Sequence, residues 1–169
     1  MEFIKAKEIL KTIEELDHNS TETVLKALKI AEYIEESSED FYKKESIKTK
    51  GTELEEFYLF LVKEEEMHLN KIKELEGELK NNELKTIQFD KNELPKIQPK
   101  SVAQGELTAI LYGLWKEKKA VEFYSQASEK TTGAVKEFFK ELAEFEKEHV
   151  KLFEELVEGT GNVNELIMG

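Results

Sequence analysis

Two halves of this 169-residue chain repeat one pattern of polar residues in register, and that repetition constrains the fold more than any other feature. Glu35, Phe41-Tyr42 and Glu65-x-x-His68 return as Glu117, Phe123-Tyr124 and Glu146-x-x-His149, displaced first by 82 residues and then by 81. Each of the four Glu and both His stand where a helical stripe elsewhere carries Leu, Ile or Val. Ordinary packing gives no reason to place six such groups in a core. A pair of buried metal ions does.

The stripes themselves are helical. Over residues 21–49 the sequence runs Val24, Leu28, Ala31, Glu35, Ser38, Tyr42, in alternating steps of four and three. Residues 53–80 continue in the same way through Leu61, Glu65, His68 and Ile72, after a turn at Lys50-Gly51-Thr52. Residues 101–130 and 134–158 form the second pair, around a turn at Thr131-Thr132-Gly133. Between the pairs, residues 81–100 hold both prolines, Pro95 and Pro99, and no stripe. A crossover of that length lets the second and third helices lie parallel.

The expected fold is therefore all-α: an antiparallel four-helix bundle with a long crossover between helices 2 and 3. It reads as one domain. Residues 1–20 form an N-terminal extension with a short helix over 4–16. Residues 21–80 form the first hairpin, 81–100 the crossover, 101–158 the second hairpin and 159–169 a tail, with scope for a last short helix.

Composition narrows the function. There is no Arg and the net charge is −12, so a nucleic-acid partner is not expected. With no Cys, disulfides, zinc knuckles, thiolate catalysis and Cys-ligated iron are excluded within these residues. No apolar run approaches membrane-spanning length, and the start lacks a signal-peptide pattern. The expectation is a soluble, cytoplasmic protein with no membrane partner.

Geometry ties the six polar residues together. Glu35 and Glu65 lie fifteen residues either side of Lys50, which puts both about 22 Å from the first turn. Glu117 and Glu146 are placed almost as symmetrically about the second. Each hairpin thus brings its two Glu to one level. His68 and His149 follow their Glu by three residues, on the same helix face. Four carboxylates carry the charge that two divalent cations neutralise; left alone in a core they would be costly or would take up protons.

Glu-x-x-His alone says little in a chain with 34 Glu, and Glu15-x-x-His18 shows it. That pair is unrepeated and off the stripe, so His18 reads as a surface or capping residue. In the run Glu64-Glu65-Glu66 only Glu65 is in the stripe, and its neighbours are expected to be solvated. Glu32, three before Glu35, has Leu114 as its counterpart and is not counted as a ligand. Tyr42 and Tyr124, seven residues after Glu35 and Glu117, should place their phenols near the opposite Glu-x-x-His as partners of ligating carboxylates. Phe41, Phe123, Phe138, Phe139, Tyr112 and Trp115 read as packing or subunit contacts.

At these residues the chain resembles the rubrerythrin-like branch of the ferritin-like di-iron carboxylate superfamily, over about residues 21–158. The resemblance implies a ferritin-like bundle and two Fe ions on Glu35, Glu65, His68, Glu117, Glu146 and His149, with Glu65 and Glu146 bridging. It also implies reactions with peroxide or dioxygen. Two departures stand out. Rubrerythrins proper usually carry a Cys-rich rubredoxin domain that feeds electrons to the iron, and none is present here. They also carry a further Glu three residues after the third-helix ligand, where this chain has Ala120.

The expected function is an oxidoreductase acting on peroxide or dioxygen in oxidative-stress defence. An external electron-donor protein would re-reduce the site, and a homodimer or higher homo-oligomer is expected. The symmetric six-ligand set also resembles bacterioferritin, so a ferroxidase or iron-storage protein is an alternative, as is a non-catalytic metal-binding bundle. Mn or Zn can occupy such ligands as well as Fe.

Overall fold

The computed structural model of the chain describes residues 20–99 and 101–161. The helix expected over 4–16, His18 and the last eight residues lie outside the described residues. Within them the secondary structure is four α-helices and no strand: α1 (Thr21–Lys48), α2 (Glu53–Lys80), α3 (Gln104–Lys130) and α4 (Gly133–Gly159).

Local chemistry sets the ends. The Ser20 hydroxyl accepts from the Thr23 N–H at 3.2 Å and starts α1, and Thr52 does the same for Leu54 at the start of α2. Gly51 and Gly133 turn the chain in the left-handed region, at φ 81° and 62°. The third helix starts at Gln104, not at 101 as the stripe suggested. The Glu106 carboxylate accepts from the Ala103 N–H at 2.8 Å, so Ala103, still extended, becomes the cap.

The core is in two parts, stacked along the bundle. One joins the start of α1 and α4 to the end of α2 and α3, around Leu28, Ile72, Tyr124, Phe139 and Leu142. The other joins the opposite ends, around Tyr42, Phe57, Leu61, Ile110 and Phe153. Glu35, Glu65, His68, Glu117, Glu146 and His149 fill the layer between them, each 0–1% exposed. Apolar cores above and below hold this polar layer out of water.

Residues 83–99 and 101–103 cross outside the helices without regular structure. Phe89 anchors them, with its ring 5.3 Å from that of Phe138 and 5.4 Å from that of Phe145. The Lys85 N–H donates to Glu78 at 3.0 Å, and Ile97 and Val102 pack on the second core cluster. The crossover thus lies over α2 and α4 and roofs one side of the polar layer.

Candidate metal centre

Two reciprocal hydrogen bonds set the relation between the hairpins. Tyr42 on α1 donates its phenol to Glu117 on α3, and Tyr124 on α3 donates to Glu35 on α1. Residues 35 and 42 therefore face 124 and 117, so α1 and α3 run antiparallel. Since each hairpin is itself antiparallel, α2 and α3 run parallel. The sequence reading put these phenols near the opposite Glu-x-x-His; the carboxylates they reach are instead the lone Glu of the opposite hairpin.

The histidines follow the same two-fold relation. His68 Nδ1 lies 3.3 Å from Glu35 Oε2, 3.7 Å from Glu65 Oε2 and 3.1 Å from Glu146 Oε1. His149 Nδ1 lies 3.3 Å from Glu117 Oε2, 3.5 Å from Glu65 Oε1 and 3.2 Å from Glu146 Oε2. Both rings thus turn Nδ1 towards the carboxylates. The imidazoles stack, with centroids 5.5 Å apart and planes 19° from parallel.

Donor atoms from Glu35, Glu65, His68 and Glu146 lie within 4.8 Å of one another, and so do those from Glu65, Glu117, Glu146 and His149. Glu65 and Glu146 belong to both groups, which is the arrangement two ions bridged by two carboxylates need. Glu65 Oε1 and both oxygens of Glu146 are buried with no hydrogen bond, although histidine nitrogens come close. Buried oxygens without donors are costly unless a cation completes them. Oxygen and imidazole donors with no thiolate suit first-row divalent metals. The residues fit a dinuclear metal centre.

Without a cation, protons must do its work. Burial, then repulsion from Glu65, pushes the Glu35 carboxyl well above its ordinary range. Burial, then the charges of Glu117 and Glu35, raises Glu146 to about 8. Burial pushes Glu117 up too, but the neighbouring Glu146 carboxyl and the His149 and Tyr42 groups that face it outweigh burial and hold that carboxylate down at about 2. One proton between Glu146 and Glu117 accounts for the opposite shifts. Burial opposes charge on His68 and His149, yet the surrounding carboxylates raise both well above the ordinary imidazole value. Burial, then nearby carboxylates, raises both phenols, so Tyr42 and Tyr124 keep their protons.

Glu64 corrects the sequence reading. It was expected to be solvated with Glu66; Glu66 is exposed, but Glu64 is 2% exposed. Its Oε2 lies 3.5 Å from His149 Nε2, and its Oε1 accepts from Asn92 of the crossover. The sequence did carry a signal: position 64 matches Phe145 in the 81-residue register, so a core location was implied. Asn92 had none, because the crossover has no periodicity to place it. Glu32 binds Lys29, 3.1 Å away. Ala120 is buried in the apolar cluster around Phe139.

The sequence profile of the family described as Rubrerythrin matches residues 26–157. The chain belongs to the rubrerythrin family. A search of curated proteins and a search of solved structures each gave no significant match. Rubrerythrin-family membership agrees with the all-α bundle and with a buried carboxylate and imidazole cluster able to hold two metal ions. Among the described residues no helix is long and apolar enough to cross a membrane.

Proposed function

We infer that this protein holds two iron ions and is an oxidoreductase that reduces peroxide or dioxygen. The observation that carries this reading is the pair of overlapping donor groups that share Glu65 and Glu146. Glu35, Glu65 and His68 would hold one ion, and Glu117, Glu146 and His149 the other. When bound, two Fe(II) ions supply one electron each for cleavage of an O–O bond. The chain's own residues supply the rest. Glu65 and Glu146 fix the spacing of the two positions. Tyr42 and Tyr124 hold Glu117 and Glu35 in place and keep a proton at each phenol oxygen beside the centre. The apolar clusters on either side exclude bulk water from that layer.

In this reading an electron-donor protein restores the reduced state. A cytoplasmic homodimer or higher homo-oligomer, acting in oxidative-stress defence, completes the reading. Stopped-flow absorbance of anaerobically iron-loaded protein mixed with hydrogen peroxide tests it. Oxidation many times faster than that of free Fe(II) is expected; oxidation no faster than free Fe(II) overturns the reading.

Ala120 favours a second reading. With no carboxylate at that position, the two ligand triads are symmetric, as suits a ferroxidase that passes iron on. Storage needs a cage of many subunits, so a dimer by light scattering counts against it.

A further inference from the structure

We propose that Glu64, held by Asn92, is a positioning residue for His149 and makes the two metal positions chemically unequal. The inference rests on the dinuclear reading above, but not on the identity of the substrate.

The six donors obey a two-fold relation; the groups behind the two imidazoles do not. A neutral imidazole has one lone pair and one N–H. With Nδ1 turned towards the carboxylates and a cation, the proton of each ring sits on Nε2. His149 Nε2 has an acceptor, Glu64 Oε2 at 3.5 Å. His68 Nε2 is buried with no hydrogen-bond partner. The residue that matches Glu64 in the second half is Phe145, whose ring stands edge-on to His68 at 5.2 Å. One difference between the two copies therefore gives one imidazole a carboxylate and the other a hydrocarbon.

Glu64 is itself fixed. Asn92 donates to its other oxygen, and Asn92 belongs to the crossover, which has no counterpart in the duplication. A cleft of about 410 Å³ opens beside the pair, with Asn92, Leu94 and Phe145 on its walls. Glu64, His68 and His149 also have donor atoms within 4.8 Å of one another. They are not read as a separate metal site: with each Nδ1 lone pair turned to the central carboxylates, Nε2 carries the proton and has no lone pair left for a second ion.

A carboxylate that accepts the far N–H of a ligating histidine fixes the ring and makes its other nitrogen a stronger donor; losing such a partner typically weakens metal binding about 10–100-fold. The ion on His149 should therefore bind more tightly than its neighbour and sit in a different ligand field.

The test is anaerobic titration of the metal-free full chain with ⁵⁷Fe(II), followed by calorimetry and by Mössbauer spectroscopy. The natural chain should bind two ions in two resolved steps and give two doublets of equal area. Glu64→Leu should weaken the tighter step about 10–100-fold and draw the doublets together, with the weaker step unchanged. Glu64→Gln, whose carbonyl still accepts from Nε2, should restore that step to within about threefold of the natural value. Asn92→Ala, at an exposed position, should weaken the same step by a smaller factor, and it carries the test if Glu64→Leu does not fold. Equal steps with one doublet in the natural chain overturn the inference, as does a Glu64→Leu or Asn92→Ala variant with unchanged binding. If Glu64→Gln is as damaging as Glu64→Leu, Glu64 binds metal directly and the positioning role is wrong. If the natural chain binds no iron, the dinuclear reading falls as well.

Discussion

Tyr42 donates its phenol to Glu117 across the bundle, from one helical hairpin to the lone carboxylate of the other. Tyr124 returns the same bond to Glu35. These bonds join the two halves of the duplication at the buried polar layer, so a residue that packs in one apolar cluster also orients a carboxylate of that layer.

Removing either hydroxyl should therefore have a double effect. Tyr42→Phe leaves a Glu117 oxygen in the core with one donor fewer. A loss of about 1–2 kcal/mol in metal-free stability is expected, together with weaker binding of one ion by about tenfold. Tyr124→Phe should match it closely and act on the other ion. Chemical denaturation and anaerobic Fe(II) titration check this; an effect on stability alone would make the phenols mere packing groups.

The pH dependence of the metal-free chain has a definite sign. Glu146 titrates at about 8 against an ordinary value of 4.5, and Glu35 is also raised. His68 and His149 are raised above 6.5. In each case the folded chain binds the proton more tightly than the unfolded chain. Stability is present in full below the unfolded value and falls as pH rises through the folded one. Glu117 works in the opposite sense, losing its contribution as pH drops from 4.5 to about 2. Calorimetry in chelator should thus give a Tm that declines from about pH 5 to beyond pH 8. Cations compete with those same protons, so the rise in Tm on adding metal should grow over that range.

Most of the fold was legible because its signals are local and periodic. Stripes in steps of three and four gave the four helices, and residues 51 and 133 gave both turns. The level of the four Glu followed from equal distances to a turn. What the stripe could not resolve was the width of the buried face. Glu64 flanks the narrow seam, and only its match to Phe145 marked it as inside. The partners of Tyr42 and Tyr124 depend on how one hairpin docks on the other, which helical period does not encode. Asn92 and Phe89 lie on a crossover with no regular repeat, so their contacts became visible only in three dimensions.

Shared and unshared ligands should behave differently. Glu65 lies in both of the central donor groups that share Glu65 and Glu146, whereas Glu35 and His149 each lie in one of those two. Glu65→Ala should lose both ions and His149→Ala one. Elemental analysis after dialysis against dilute metal reads this directly. Retention of two ions and of the holo Tm by Glu65→Ala would remove the assignment of the centre.

Gly113 tests how tightly the apolar cluster beside the centre is packed. A Cβ there would stand 2.5 Å from the tip of the Phe153 ring. That ring cannot give way easily: it is fully buried, 5.0 Å from Phe57 and 6.0 Å from Tyr42. Helix propensity favours Ala over Gly by about 1 kcal/mol, whereas overfilling a core costs about 1–3 kcal/mol. Gly113→Ala should therefore lower stability by about 1 kcal/mol in net. Gly77, in the last turn of α2 with open space around its would-be Cβ, is the control. Gly77→Ala should raise stability by up to about 1 kcal/mol. If the two substitutions shift the denaturation midpoint in the same direction, Phe153 has room to move, and the packing that holds Tyr42 against Glu117 is looser than the structure shows.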